Sequence, residues 1–96
     1  FLIYNKKVMR LDKYMKVSRL IKRREVAKEM IDLGYVSING KIAKPSSEVK
    51  EGDVLLITSP SGKTMKVKIV KILLVASIKD ASSMYEVMWY GYRKRD

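Results

Sequence analysis

The sequence has no cysteine and no histidine, and among its 96 residues are only two prolines, one phenylalanine and one tryptophan. Without cysteine there is no disulfide framework and no thiol nucleophile. Without either residue, no Cys/His zinc site and no imidazole base can form. Long hydrophobic runs are missing too. The longest, Ile72 to Ala76, follows Lys71 and falls far short of the roughly 20 apolar residues of a membrane-spanning helix. The opening Phe1-Leu2-Ile3-Tyr4-Asn5-Lys6-Lys7 carries its charges after its apolar residues, the reverse of a secretory signal. A cytoplasmic protein without a membrane partner is therefore expected. Acidic side chains are scarce: 10 Asp+Glu stand against 21 Lys+Arg, a net charge of +11. On a single small domain that excess points to a polyanion. What is present in quantity is apolar: 47% of residues are hydrophobic and periodically placed, which excludes disorder.

The positive charge is concentrated. Arg10, Lys13, Lys16, Arg19, Lys22, Arg23, Arg24 and Lys28 are opposed only by Asp12 and Glu25, whereas residues 29–60 are net acidic. Charge that served solubility alone would not divide in this way, so one electropositive face is expected. Leu11, Tyr14, Met15 and Ser18 fall at i, i+3, i+4 and i+7, the buried stripe of a short helix over 10–17. Asp12 and Lys16 are spaced as an i,i+4 pair on it, and Asp12 and Glu25 are read as orienting nearby basic residues. A second helix over 22–33 turns Val26, Ala27, Met30, Ile31 and Leu33 inward, and Gly34 ends it. Three cations at its start, Lys22, Arg23 and Arg24, run against the helix dipole, and a helix N-terminus among them suits a phosphate.

After Gly34 the period changes to two. Val36 and Ile38 alternate with polar residues up to Asn39-Gly40, the strongest short hairpin signal, and Lys41-Ile42-Ala43 returns. Val54–Thr58 reads as a strand, and so does a longer run with Met65, Val67 and Ile69 on one side and Lys66 and Lys68 on the other. The fold class is α+β: two short N-terminal helices and a small antiparallel sheet of about four strands. Tyr85, Met88, Trp89 and Tyr92 share helical spacing, so a C-terminal helix is predicted over 80–90, its aromatic stripe packed on the sheet. Residues 1–8 are read as a flexible leader, 9–75 as the domain and 76–96 as a helical extension.

Gly62-Lys63-Thr64 imitates the end of a phosphate-binding P-loop, but Ile57 stands where that motif needs its first glycine. No carboxylate pair is spaced for acid–base work and nothing sets a nucleophile beside a base, so a non-enzymatic protein is expected. No cofactor and no metal are implied.

The remaining anchors form a constellation: Arg10-Leu11-Asp12-Lys13-Tyr14; Lys22-Arg23-Arg24 with Ala27; Gly34, Val36 and Ile38-Asn39-Gly40; Lys44-Pro45; and Val49 with Gly52-Asp53. Together they resemble the S-four-type RNA-binding domain, the αL motif of small-subunit ribosomal protein four. That domain usually has Ser or Thr before the arginine that starts its second helix; Arg23 here trades the cap for charge. The run from Met9 to Arg24, with Ala81-Ser82-Ser83-Met84-Tyr85 later, is similar to the freestanding RqcP family. The resemblance implies a monomer that binds large-subunit rRNA and P-site peptidyl-tRNA and supports the partner RqcH as it adds alanine to stalled chains. It also implies RNA contacts at Arg10 and Arg24, with Lys13, Arg19, Lys22, Arg23 and Lys28 around them and Lys41 and Lys44 flanking from the hairpin. Three other readings stand beside it: a heat-shock-type recycling factor for stalled large subunits, a DNA-binding helix-turn-helix protein, and a ribosomal structural protein or RNA-modification accessory.

Overall fold

A computed structural model describes residues 8–92. Helix α1 (Leu11–Val17) buries Leu11, Tyr14, Met15 and the following Ser18, all at 1% exposure or less, as the i, i+3, i+4, i+7 spacing requires. Burying an apolar side chain of this size contributes about 1.5–3 kcal/mol. Helix α2 (Arg24–Asp32) buries Ala27 and Ile31 in the same core, with Met30 packed at its margin. It starts at Arg24, two residues later than the charge run suggested, and Arg23 at its N-cap makes no side-chain capping bond. Val26 and Leu33, expected inside, are exposed. Both lie beyond the edge of the stripe that Ala27, Met30 and Ile31 form. Gly34, at φ +83°, ends α2: its N–H donates to the Ile31 carbonyl and that of Tyr35 to Met30, the paired bonds of a left-handed helix stop.

The strands are β1 (Val8–Arg10), β2 (Val36–Ile38), β3 (Lys41–Ile42), β4 (Glu48–Lys50), β5 (Val54–Thr58), β6 (Lys63–Ile69) and β7 (Tyr85–Tyr92). β1 pairs with β4 in a two-stranded ribbon, and the other five form one antiparallel sheet in the order β3-β2-β5-β6-β7. Asn39 and Gly40, both at positive φ, make the β2–β3 turn. One side of the sheet faces the helices. Val36, Ile57 and Met65 lie in register on that side, as do Ile38, Leu55 and Val67. The Met9–Val49 pair of the ribbon closes the same core.

The C-terminal segment corrects the expectation of a helix over 80–90. Helical structure there is one turn, α3 (Ile78–Ala81), capped by the Ser77 hydroxyl accepting from the Asp80 N–H. Residues 85–92 are strand β7, joined edge-on to β6. The physical reason is a β-bulge. Lys66 pairs with Trp89 but Val67 pairs with Val87, so Met88 is an extra residue without a counterpart. That extra residue breaks the two-residue alternation and leaves an apolar pattern that imitates helical spacing. Met84, fully buried just before β7, anchors the segment: its carbonyl accepts from the Tyr14 hydroxyl at 2.7 Å and from the Val70 and Lys71 N–H groups.

Candidate nucleic-acid interface

The site is built around a carboxylate that the sequence disguised. Asp12 lies in the first turn of α1 and is 0% exposed. The expected surface pairing with Lys16 is not made. Instead Asp12 Oδ2 accepts from Arg10 Nη2 at 3.2 Å, and Oδ1 accepts from Arg24 Nη2 at 3.4 Å and from the Lys13 backbone N–H at 2.7 Å. The reason is position: Asp12 neighbours the buried Leu11, where α1 meets the start of α2, and a charge enclosed there must be paired.

The two guanidiniums remain accessible, with side-chain exposures of 49% for Arg10 and 37% for Arg24. A guanidinium carries five N–H donors, so each arginine has donors to spare after the Asp12 contact. Arg24 Nε is enclosed and has no hydrogen-bond partner. Beside it, the first turn of α2 has no side-chain cap. Donors clustered at a helix start, with two oriented forks, match the oxygens of phosphate or of a folded nucleic-acid backbone.

The structure gathers some of the sequence-predicted residues and separates others. Lys44 is drawn in by its turn: Lys44 and Ser47 exchange hydrogen bonds, and the Ser47 and Pro45 carbonyls accept from the Leu11 and Asp12 N–H groups at the head of α1. Lys13 is half-buried on α1 next to Asp12, and Lys28 is exposed one turn beyond Arg24. Lys22 and Arg23 are exposed on the approach to α2. Arg19, exposed after α1, sits at φ +62°, where glycine is usual. Lys41 is apart from the group, on edge strand β3, lining a cleft with Ser47, Glu48 and Lys50.

A second carboxylate steadies the hairpin side. Burial alone would raise the pKa of Asp53, yet hydrogen bonds from the Lys50 N–H, Asn39 Nδ2 and Lys50 Nζ outweigh it and hold the carboxyl below its usual range. Asp53 thereby locks the Asn39 turn to the head of β5. Among the described residues there is no cluster of ligands for a metal ion, and no helix is long and apolar enough to cross a membrane.

Three comparisons bear on this geometry. The S4 domain family matches residues 9–55, which span both helices, the hairpin, β4 and the start of β5. The RQC P-site tRNA stabilizing factor of Halalkalibacterium halodurans is 47% identical over 79 residues, covering 82% of this chain and 89% of that protein. The chain belongs to the RQC P-site tRNA stabilizing factor family. The member from Bacillus subtilis is 46% identical over 80 residues, covering 83% of this chain and 92% of its own length. Among solved structures, heat shock protein 15 of Vibrio cholerae aligns with a TM-score of 0.77 at 29% identity, over 85% of this chain and 83% of that one. Likeness to the family therefore extends past the S4 match.

Proposed function

We propose that this protein is a non-enzymatic, cytoplasmic RNA-binding factor of ribosome-associated quality control. It binds the large ribosomal subunit through rRNA and P-site tRNA and supports RqcH-driven alanine tailing of stalled chains. The observation that carries the reading is the pair of guanidiniums set on buried Asp12 at the junction of the two helices, in a chain of this family. Two oriented forks read the spacing of phosphates on a folded RNA, which is recognised largely by shape and backbone. Lys13, Arg19, Lys22, Arg23, Lys28 and Lys44 add positive charge around them, and Lys41 extends the contact from the hairpin edge. Holding RNA needs no nucleophile or base, which agrees with the lack of histidine and cysteine.

The test is co-sedimentation with large subunits. Arg10→Ala and Arg24→Ala should each abolish it, with a stability loss of only about 1 kcal/mol, because the other arginine and the Lys13 N–H still pair Asp12. Binding by the parent should fall steeply with salt, because each phosphate it neutralises releases a counterion and that gain shrinks as salt rises. Sedimentation of both variants at parent levels would sink the site assignment. A second reading, recycling of stalled large subunits, is favoured by the likeness to heat shock protein 15. Recovery of this protein with RqcH-bound, alanine-tailed chains separates the two, since recycling does not require that partner.

A further inference from the structure

The reverse of the sheet, away from the helices, holds the chain's single tryptophan. In an antiparallel sheet, directly opposed residues share a face. The register therefore aligns Ile42, Ser37, Leu56, Lys66 and Trp89 in one row across all five strands. Trp89 reaches that row because of the bulge. By simple alternation it would lie on the same side as Tyr85 and Val87, toward the core; the extra residue Met88 reverses the parity and turns it outward. Bulges that re-aim a side chain recur beside functional sites.

The indole is also seated. A Cβ on Gly91 would come 3.1 Å from Trp89 Cζ2 and 3.3 Å from Cη2, so the ring lies against bare backbone at that glycine. Trp89 is nevertheless 48% exposed, which leaves a supported ring open to solvent. Lys66 is directly opposite it and Lys68 is two residues along on the same face, both exposed. Glu86, which opposes Lys68, makes no ion pair with it within 4 Å. The apolar members Ile42 and Leu56 are separated by Ser37 and followed by Lys66. The row thus lacks the contiguous apolar patch of a protein-docking surface. A supported aromatic ring flanked by lysines instead matches an unpaired base with its phosphates.

We propose that the Trp89–Lys66–Lys68 row is a second RNA contact, which stacks an unpaired nucleobase on Trp89 while the helical face holds folded RNA. The inference rests on reading the chain as an RNA-binding protein, but not on the helical site assignment. Trp89 provides its own probe, because all tryptophan emission comes from this ring. Titration of the full chain with a short single-stranded oligouridylate should quench that emission, and more weakly as salt rises. Trp89→Ala, followed by the anisotropy of labelled oligouridylate, should weaken binding about tenfold, while Trp89→Phe retains most of it. Both variants should bind a blunt RNA hairpin as the parent does. Oligouridylate quenching should persist in Arg10→Ala even where subunit binding is lost, so the two sites fail or hold separately. Absence of quenching, or an oligouridylate affinity indifferent to Trp89→Ala, overturns the proposal in favour of a protein contact on this face. Loss of the quench in Arg10→Ala also overturns it, by placing the strand on the helices.

Discussion

The helical face and the reverse of the sheet both display cations, but they hold them by different means. On the helical face Arg10 and Arg24 converge on one enclosed carboxylate, so their spacing is set before a ligand arrives. On the sheet, Lys66 and Lys68 are placed by strand register alone, each ammonium at the end of a flexible stem. The contrast concerns entropy. A pre-organised pair loses little freedom on binding and accepts a narrow range of phosphate spacings, which suits folded RNA. Tethered lysines beside an aromatic ring follow a backbone of almost any path, which suits an unpaired strand.

The sharpest way to break the comparison is to remove what orients one side. Asp12→Ala should have the largest effect: about 2 kcal/mol of stability by denaturant unfolding, from the lost Lys13 N–H bond and the two charge-assisted contacts. The figure stays moderate because both guanidiniums can turn to water. At a temperature where the variant is folded, subunit co-sedimentation should fall as far as in Arg24→Ala, while Trp89 quenching by oligouridylate is unchanged. Parent-level sedimentation would mean that the arginines need no orientation and that the two faces do not differ in kind.

Tyr14→Phe asks whether the faces are coupled. The Tyr14 hydroxyl bridges α1 to the Met84 carbonyl at the foot of β7. Its loss should cost about 1 kcal/mol and no more, since that carbonyl keeps the Val70 and Lys71 donors. Burial first, and the nearby Tyr85 second, push the Tyr14 pKa well above the usual tyrosine range. The folded state thus binds this proton more tightly than the unfolded chain does. Its contribution is complete below about pH 10, the unfolded value, and is lost as pH rises beyond it. Tyr14→Phe should flatten that alkaline decline in melting temperature. If both RNA affinities stay at parent levels, the faces act independently; a change in oligouridylate binding would reveal coupling through Met84.

A smaller intervention acts on the sheet face alone. Gly91→Ala sets a methyl group 3.1 Å from the indole, and the ring is the part free to move. Stability should change by under about 1 kcal/mol. The emission maximum of Trp89 should shift, and oligouridylate binding should weaken by less than in Trp89→Ala. Unchanged emission would show that the glycine does not seat the ring.

These two faces also differ in how far the sequence reveals them. Helices α1 and α2 and the Asn39-Gly40 hairpin were legible because their periods are unbroken over several residues and their turn signals are local. Arg10 and Arg24 stood out by charge and by resemblance, and the structure sets them together. Asp12 is legible as a carboxylate that orients nearby bases, but its burial and its partners are not, since burial beside Leu11 is a tertiary fact and its spacing to Lys16 imitates a surface pair. The β1–β4 ribbon is not legible in the sequence because three-residue strands carry almost no period and Met9 meets Val49 across 40 residues of chain. Strand β7 reads as a helix for a more specific reason. One bulged methionine converts an alternating strand into an apparent helix, and only the register with β6 reveals which side each aromatic takes.

The smallest expected effect concerns the end of α1, where the two helices stop by related means with different residues. After α2 the left-handed position is Gly34; after α1 it is Arg19, at φ +62°. The Arg19 N–H donates to the Lys16 carbonyl at 3.1 Å and the Ile21 N–H to Met15 at 3.1 Å, so the stop is formed despite the side chain. A left-handed non-glycine residue costs roughly 1 kcal/mol. Arg19→Gly would relieve that strain but gives the unfolded chain more freedom, an offset of about 0.5–1 kcal/mol. The net change in stability should therefore lie within about 0.5 kcal/mol of zero. Such a near balance makes the variant a clean probe of the charge. If the strain is retained because a cation is needed at this bend, co-sedimentation with large subunits should weaken a few-fold and the slope of affinity against salt should fall by about one phosphate. Oligouridylate quenching of Trp89 should not respond. Subunit binding with an unchanged salt slope would remove Arg19 from the helical face and leave its strained backbone without a functional counterpart.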